Sequence, residues 1–147
     1  MDEMPAMRVY ADMCADLFHY GHGEFLKQCK NLYPNVYLMV GIHNDVVIAS
    51  YKRPPIMTMQ ERIRSVENCK WVDQVIANAP LRLTEEYLNQ YDIHMVVHDD
   101  SIDEVTRLEW YHLPISRGIY QEVPCTNGIS TTNIIERVLE RGLDSPN

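Results

Sequence analysis

Short apolar runs alternate along this chain with segments in which apolar side chains recur every three or four residues. Residues 8–11 read as a strand, and Phe25, Leu26, Cys29 and Leu32 then share one face of a helix over 24–32. Pro34 and Asn35 turn the chain into a nearly unbroken apolar run from Val36 to Ile42, as expected of a strand buried on both faces. A loop over 44–56 carries Lys52, Arg53, Pro54 and Pro55. The capping box Thr58-Met59-Gln60-Glu61 starts a second helix, with Met59, Ile63 and Val66 at helical spacing. A strand over 72–77, a turn at Asn78-Ala79-Pro80 and a short helix over 84–91 follow. A strand over 93–98 ends in His98-Asp99-Asp100, and a helix over 103–112 is expected to stop before Pro114. The strand 118–123 and Gly128-Ile129-Ser130-Thr131-Thr132 then lead into a last helix, 133–141, with Gly142 as its C-cap.

The alternation of strand and helix predicts an α/β fold, a Rossmann-like doubly wound parallel sheet of about five strands with helices on both faces. No repeat, low-complexity tract or linker divides the chain, so one domain over 1–147 is expected, its core spanning about 8–141. In such folds ligands sit beyond the carboxyl ends of the strands. Residues 12–22, Lys52-Arg53, His98-Asp99-Asp100 and 128–132 all follow predicted strands, so four separate segments are expected to converge on one edge.

Composition narrows the partners. The chain has 147 residues, 46% of them hydrophobic, and a formal net charge of -8. Nucleic-acid binding calls for a basic footprint and is therefore disfavoured; a polyanion would have to meet a local cluster of positive groups. The four cysteines show neither CxxC spacing nor the density of a secreted scaffold, so reduced thiols are expected. The first residues lack the pattern of a signal peptide, and no apolar run is long enough to span a bilayer. A cytoplasmic protein without a stable membrane anchor is the expectation.

The strand–loop–helix junction carries the candidate chemistry. A helix N-terminus presents unpaired N–H groups and the positive end of a dipole. Imidazoles there, His19 and His22 in a His-x-Gly-His frame, suit a polyphosphate, although a lone histidine at a helix start is commonly a capping or surface group. No metal ligand set is expected from protein side chains, because no Cys or His pair elsewhere completes one at typical spacing. Gly128, Ser130, Thr131 and Thr132 offer backbone N–H groups and hydroxyls to a phosphate, and Ser130 can cap the last helix as well. Lys52 can place an ammonium on a transferring phosphoryl group.

Tyr10-Ala11-Asp12 followed by Asp16-Leu17-Phe18-His19-Tyr20-Gly21-His22 resembles the nucleotide site of the cytidylyltransferase family. Glu61-Arg62, the segment 69–76 and 128–132 extend the resemblance, in the family's order, over about residues 8–137. The catalytic domains of phosphocholine and phosphoethanolamine cytidylyltransferases are the most similar, and glycerol-3-phosphate cytidylyltransferase is more distant. The resemblance implies transfer of CMP from CTP to a phosphorylated amino-alcohol with release of pyrophosphate, in phospholipid biosynthesis. It implies that His19 and His22 bind and stabilise the CTP phosphates, with Ala11 and Asp12 beside the nucleotide. Lys52 would hold the α-phosphate and the incoming phosphomonoester, and Ser130, Thr131 and Thr132 the β- and γ-phosphates. Asp12 and Tyr111 match positions that face the amino-alcohol. Mg²⁺ is expected to accompany CTP, and Arg62 with 70–76 is expected to belong to a homodimer-forming motif.

The chain departs from the family pattern in four places. Met13 stands where the family usually has glycine, Ala15 where it has an aromatic, Cys125 where it has a phosphate-facing arginine, and Leu81 where phosphocholine enzymes carry tryptophan. Met13 is expected to add bulk and to require a permitted φ; Arg53 and Arg117 are candidates to replace the lost guanidinium. A nucleotide-binding homologue with impaired catalysis, a glycerol-3-phosphate enzyme and an adenylyltransferase are the alternatives these departures leave.

Overall fold

The computed structural model describes residues 5–142. Expectations that reach into residues 1–4 and 143–147, including the lack of a signal peptide and the full 1–147 extent of the domain, lie outside them. Five parallel strands, β1 (Met7–Met13), β2 (Val36–Ile42), β3 (Gln74–Ala77), β4 (Met95–Asp99) and β5 (Tyr120–Val123), form one sheet in the order β3-β2-β1-β4-β5. The six helices among the described residues are α1 (Tyr20–Lys30), α2 (Asp45–Ala49), α3 (Met59–Glu67), α4 (Glu85–Gln90), α5 (Glu104–Ser116) and α6 (Thr131–Arg141). This is the doubly wound α/β architecture that the alternation predicts. The direction of winding reverses between β1 and β4, where Val9 pairs with Met95 and Tyr10 with Val96. No described helix is long and apolar enough to cross a membrane.

Strand side chains alternate between two cores, which explains the continuous apolar runs. Val9, Ala11, Leu38, Val40 and Ile42 pack with Leu26 and Cys29 of α1 and Val66 of α3. Tyr10, Met39 and Val96 pack on the other face with Leu88 of α4 and Tyr111 of α5. Gly41 is required by this second core, since a Cβ there would lie 2.3 Å from the Tyr10 hydroxyl.

Several boundaries differ from expectation for physical reasons. β1 runs on to Met13 because its ladder with β2 continues through Met13 opposite Ile42. Met13 thus has ordinary extended backbone, and the left-handed conformations fall instead at Ala15 (φ 60°) and Leu17 (φ 48°). The loop over 44–56 contains α2, whose N-cap Asn44 accepts from the Val47 N–H at 2.8 Å. Five residues are too few to set up an apolar period. Helix α5 passes through Pro114 rather than stopping before it, with non-helical angles at Tyr111 (φ -116°, ψ 19°). Proline leaves the Trp110 carbonyl without its helical donor, and the Leu83 N–H takes that place at 3.1 Å. The predicted Gly142 cap is present, at φ 60° with its N–H on the Val138 carbonyl.

Candidate active site

A cavity of about 660 Å³ lies at the carboxyl ends of the central strands. Its wall includes Asp12 at the end of β1, His19 and His22 at the start of α1, and Lys52 and Arg53 from the loop after α2. His98 is the penultimate residue of β4, Tyr111 comes from α5, and Ser130, Thr131 and Thr132 from the start of α6. The four segments expected to converge do so. Ala11 and Gly128 are not in this wall: Ala11 is fully buried in the sheet core, and Gly128 faces an adjoining surface groove with Tyr20 and Asn133.

Helix α1 starts four residues before the expected position because the histidines themselves cap it. His19 is the N-cap, with its Nδ1 accepting from the Gly21 N–H at 3.0 Å. His22 Nδ1 accepts from the His19 N–H at 3.0 Å, which completes a capping box built of two imidazoles. A backbone N–H only donates, so both Nδ1 atoms are unprotonated and each neutral ring carries its proton on Nε2. Burial lowers the His19 pKa. Burial, and then the neighbouring His19 and Lys52, bring His22 down to about 4. The pair therefore offers neutral N–H donors rather than full positive charges. Gly21 is needed here, since a Cβ would sit 2.8 Å from the His19 ring.

At α6, the Ser130 hydroxyl caps the helix by accepting from the Asn133 N–H at 3.0 Å. The Thr131 hydroxyl donates to the Asp16 carbonyl at 2.9 Å. The Asp16 carboxylate receives the Ile56 and Met57 N–H groups, each at 2.9 Å, and so ties the loop that carries Lys52 to the end of β1. Arg53 donates to the Thr132 hydroxyl at 3.3 Å, and Cys125 lines the same cavity. Arg117 instead pairs with Glu85 and does not line the cavity.

Another part of the cavity wall is aromatic and acidic, and Lys52 Nζ lies 5.7 Å from the centre of its Tyr51 ring. The Tyr111 hydroxyl donates to Asp12 Oδ1, and Asp12 is 6% exposed. Burial and the adjacent carboxylate keep the Tyr111 phenol protonated, well above the ordinary tyrosine range. Tyr51 and Trp110 rings stand 5.0 Å apart, Trp110 and Tyr111 6.4 Å, and His43 contacts both Tyr51 and Trp110. Sequence reading missed His43, Tyr51 and Trp110. A histidine directly after a strand was the available signal for the first; Tyr51 and Trp110 reach the site only through the fold. Leu81 is not in this wall. Burial opposes charge on His98, but bonding to Asp99 outweighs it and raises the His98 pKa. Asp99 is brought down to about 2 against its own burial by His98 and Ser101.

Arg62, grouped by resemblance with a dimer motif, is fully buried inside this chain. It donates to the Cys14 and His43 carbonyls, both at 2.8 Å, to the Met57 carbonyl and to the Asp45 carboxylate. One guanidinium thereby fixes the chain after β1, after β2 and before α3. Among the described residues no group of three or more His, Cys, Asp or Glu is placed to hold a metal ion.

A family model described as cytidylyltransferase-like matches residues 10–137. The chain is 42% identical over 137 residues to choline-phosphate cytidylyltransferase 2 of Arabidopsis thaliana, covering 91% of this chain and 45% of that protein. It is 40% identical over 139 residues to choline-phosphate cytidylyltransferase A of Rattus norvegicus, covering 90% and 36%. It is 39% identical over 133 residues to the probable ethanolamine-phosphate cytidylyltransferase of Schizosaccharomyces pombe, again covering 90% and 36%. The chain thus spans less than half of the length of these relatives. Among solved structures, a lipopolysaccharide core biosynthesis protein from Thermoplasma volcanium superposes with a TM-score of 0.64 at 22% identity. That match covers 85% of this chain and 100% of the other, and it bears on the fold alone.

Proposed function

The chain belongs to the cytidylyltransferase-like family, and from that premise we propose that it transfers CMP from CTP to a phosphorylated amino-alcohol, releasing pyrophosphate. The observation that carries this reading is the chemical polarity of one cavity. Its wall combines neutral N–H and O–H donors and two cationic side chains with a carboxylate among aromatic rings. A triphosphate suits the first set, and a substrate bearing both phosphate and ammonium suits the two together.

In the proposed reaction a phosphate oxygen of the acceptor attacks the α-phosphorus in line and the bond to the β-phosphate oxygen breaks. The attacking phosphate is already anionic, so no general base is needed. Nε2–H groups of His19 and His22 donate to the α-phosphate oxygens as charge develops, and Lys52 holds the α-phosphate against the acceptor. The α6 start with Ser130, Thr131 and Thr132 receives the departing pyrophosphate. Arg53, bonded to Thr132, supports a role as the guanidinium that Cys125 does not provide. The donor set accords with Mg²⁺ entering on the triphosphate oxygens, where it would neutralise leaving-group charge.

The reading extends to a homodimer through 70–76, where Lys70 and Lys27 flank the Trp71 ring at 4.7 and 5.8 Å, and to a cytoplasmic location consistent with free cysteines. Sedimentation equilibrium tests the first. Incubation with CTP, Mg²⁺ and phosphocholine, phosphoethanolamine or glycerol-3-phosphate tests the activity; no pyrophosphate with any acceptor would sink it.

A further inference from the structure

Two buried polar atoms in the cavity wall have no hydrogen-bond partner among the described residues, Asp12 Oδ2 and His43 Nε2. They stand 3.7 Å apart, on side chains 1% and 3% exposed. Buried polar atoms are nearly always paired, so two orphans 3.7 Å apart in the cavity wall leave two bonds for an incoming group to supply. Neither side chain is free to turn away. Asp12 Oδ1 holds the Tyr111 hydroxyl, and His43 Nδ1 lies 3.1 Å from the Tyr51 hydroxyl. The His43 main chain is fixed by the Met13 carbonyl at 3.1 Å and by Arg62 at 2.8 Å.

Tautomer chemistry says what is missing. With its proton on Nε2, His43 would aim a donor at Oδ2 from 3.7 Å, beyond hydrogen-bond length, and both atoms would stay unsatisfied. With its proton on Nδ1, donated to the Tyr51 oxygen, Nε2 turns a lone pair toward the carboxylate. Two acceptors then lie 3.7 Å apart. A single nitrogen about 2.9 Å from each can serve both, provided that it carries at least two N–H groups. The Tyr51, Trp110 and Tyr111 rings beside Asp12 and His43 favour that nitrogen being a cation. A trimethylated nitrogen has no N–H, and its methyl carbons stop about 3.3 Å or more from an oxygen.

We infer that His43 is a specificity-determining residue: with Asp12 it accepts two N–H bonds from a primary ammonium, so the chain selects the phosphomonoester of a primary amino-alcohol over its quaternary counterpart. The inference rests on the CMP-transfer reading for the phosphate half of that acceptor and on the orphaned pair for its nitrogen half.

The test measures kcat/KM of the full chain with phosphoethanolamine and its mono-, di- and trimethylated forms. The expected result is a modest fall with one methyl and a steep fall when fewer than two N–H groups remain, about a hundredfold or more to the trimethyl compound. His43→Leu is expected to lower kcat/KM for phosphoethanolamine about ten- to a hundredfold while leaving the trimethyl compound within a fewfold, so that the preference collapses. His43→Gln, whose amide oxygen accepts, is expected to restore part of it. Equal kcat/KM across the series, or equal losses for both acceptors in His43→Leu, would mean that water satisfies the two atoms and would overturn the inference. If no acceptor yields pyrophosphate, the activity reading fails and calorimetry of each compound with the CTP-loaded chain decides the nitrogen half. Tighter binding of phosphoethanolamine upholds it, and equal or weaker binding overturns it.

Discussion

Two groups of residues in the cavity wall are built in different ways. The histidines come from one turn of chain, where His19 and His22 cap the helix that they begin. The aromatic and acidic group draws Asp12, His43, Tyr51, Trp110 and Tyr111 from four separate parts of the chain, and Arg62 braces two of those parts. The imidazole pair needs only that turn to form, although Lys52, Arg53 and the α6 start must reach it from elsewhere in the chain. A site assembled from distant segments depends on every element that positions them, and is the more easily lost.

Arg62→Met gives the largest expected break in that contrast. Asp45 is exposed enough to be solvated again, but the Cys14 and His43 carbonyls lose their donors, each costing about 1–3 kcal/mol. Urea unfolding should show a loss of roughly 3–5 kcal/mol, with acceptor KM raised in whatever folds; a loss under 1 kcal/mol would mean that the brace is dispensable. His19→Ala should act the other way, cutting kcat about 10²–10³-fold, as removal of a transition-state donor does, with acceptor KM little changed. A variant with intact turnover would remove His19 from the reaction.

The imidazole cap makes a pH prediction of its own. The unfolded chain protonates His22 near pH 6.5, whereas the folded chain holds the proton off until about 4. The unfolded state therefore binds more protons between those values, so this contribution is whole above pH 6.5 and is lost as pH falls toward 4. The loss amounts to roughly 3 kcal/mol at most. His22→Gln keeps an acceptor for the His19 N–H without titrating, and its stability should decline less over this window. Parallel declines would count against the assignment. The smallest effect sharpens the comparison at the cavity mouth: Arg53→Ala should lower kcat/KM about tenfold, and Cys125→Arg in that background should recover it. No change in the first variant would leave the missing arginine without a substitute.

Periodicity made the strands and most helices legible, because burial on both faces of a parallel sheet writes continuous apolar runs and the flanking helices write a 3.6-residue period. It could not show α2, which is too short to have a period, nor the passage of α5 through Pro114, which depends on Leu83 bonding to the Trp110 carbonyl from elsewhere in the chain. Likewise the backbone of Met13 is ordinary extended strand once paired, although the residue does line the cavity as expected, and Ala15 and Leu17 carry the left-handed angles instead.

The sequence by itself determined the doubly wound sheet and the edge at which its loops meet, since strand and helix periods are patterns within a few residues of one another and their alternation sets the topology. Tertiary structure alone decided that Arg62 turns inward, that Arg53 rather than Arg117 reaches the cavity, and that His43 Nε2 comes within 3.7 Å of Asp12 Oδ2 with neither atom hydrogen-bonded. Those relations join residues that no local pattern links, and only the winding of the chain brings them within bonding distance.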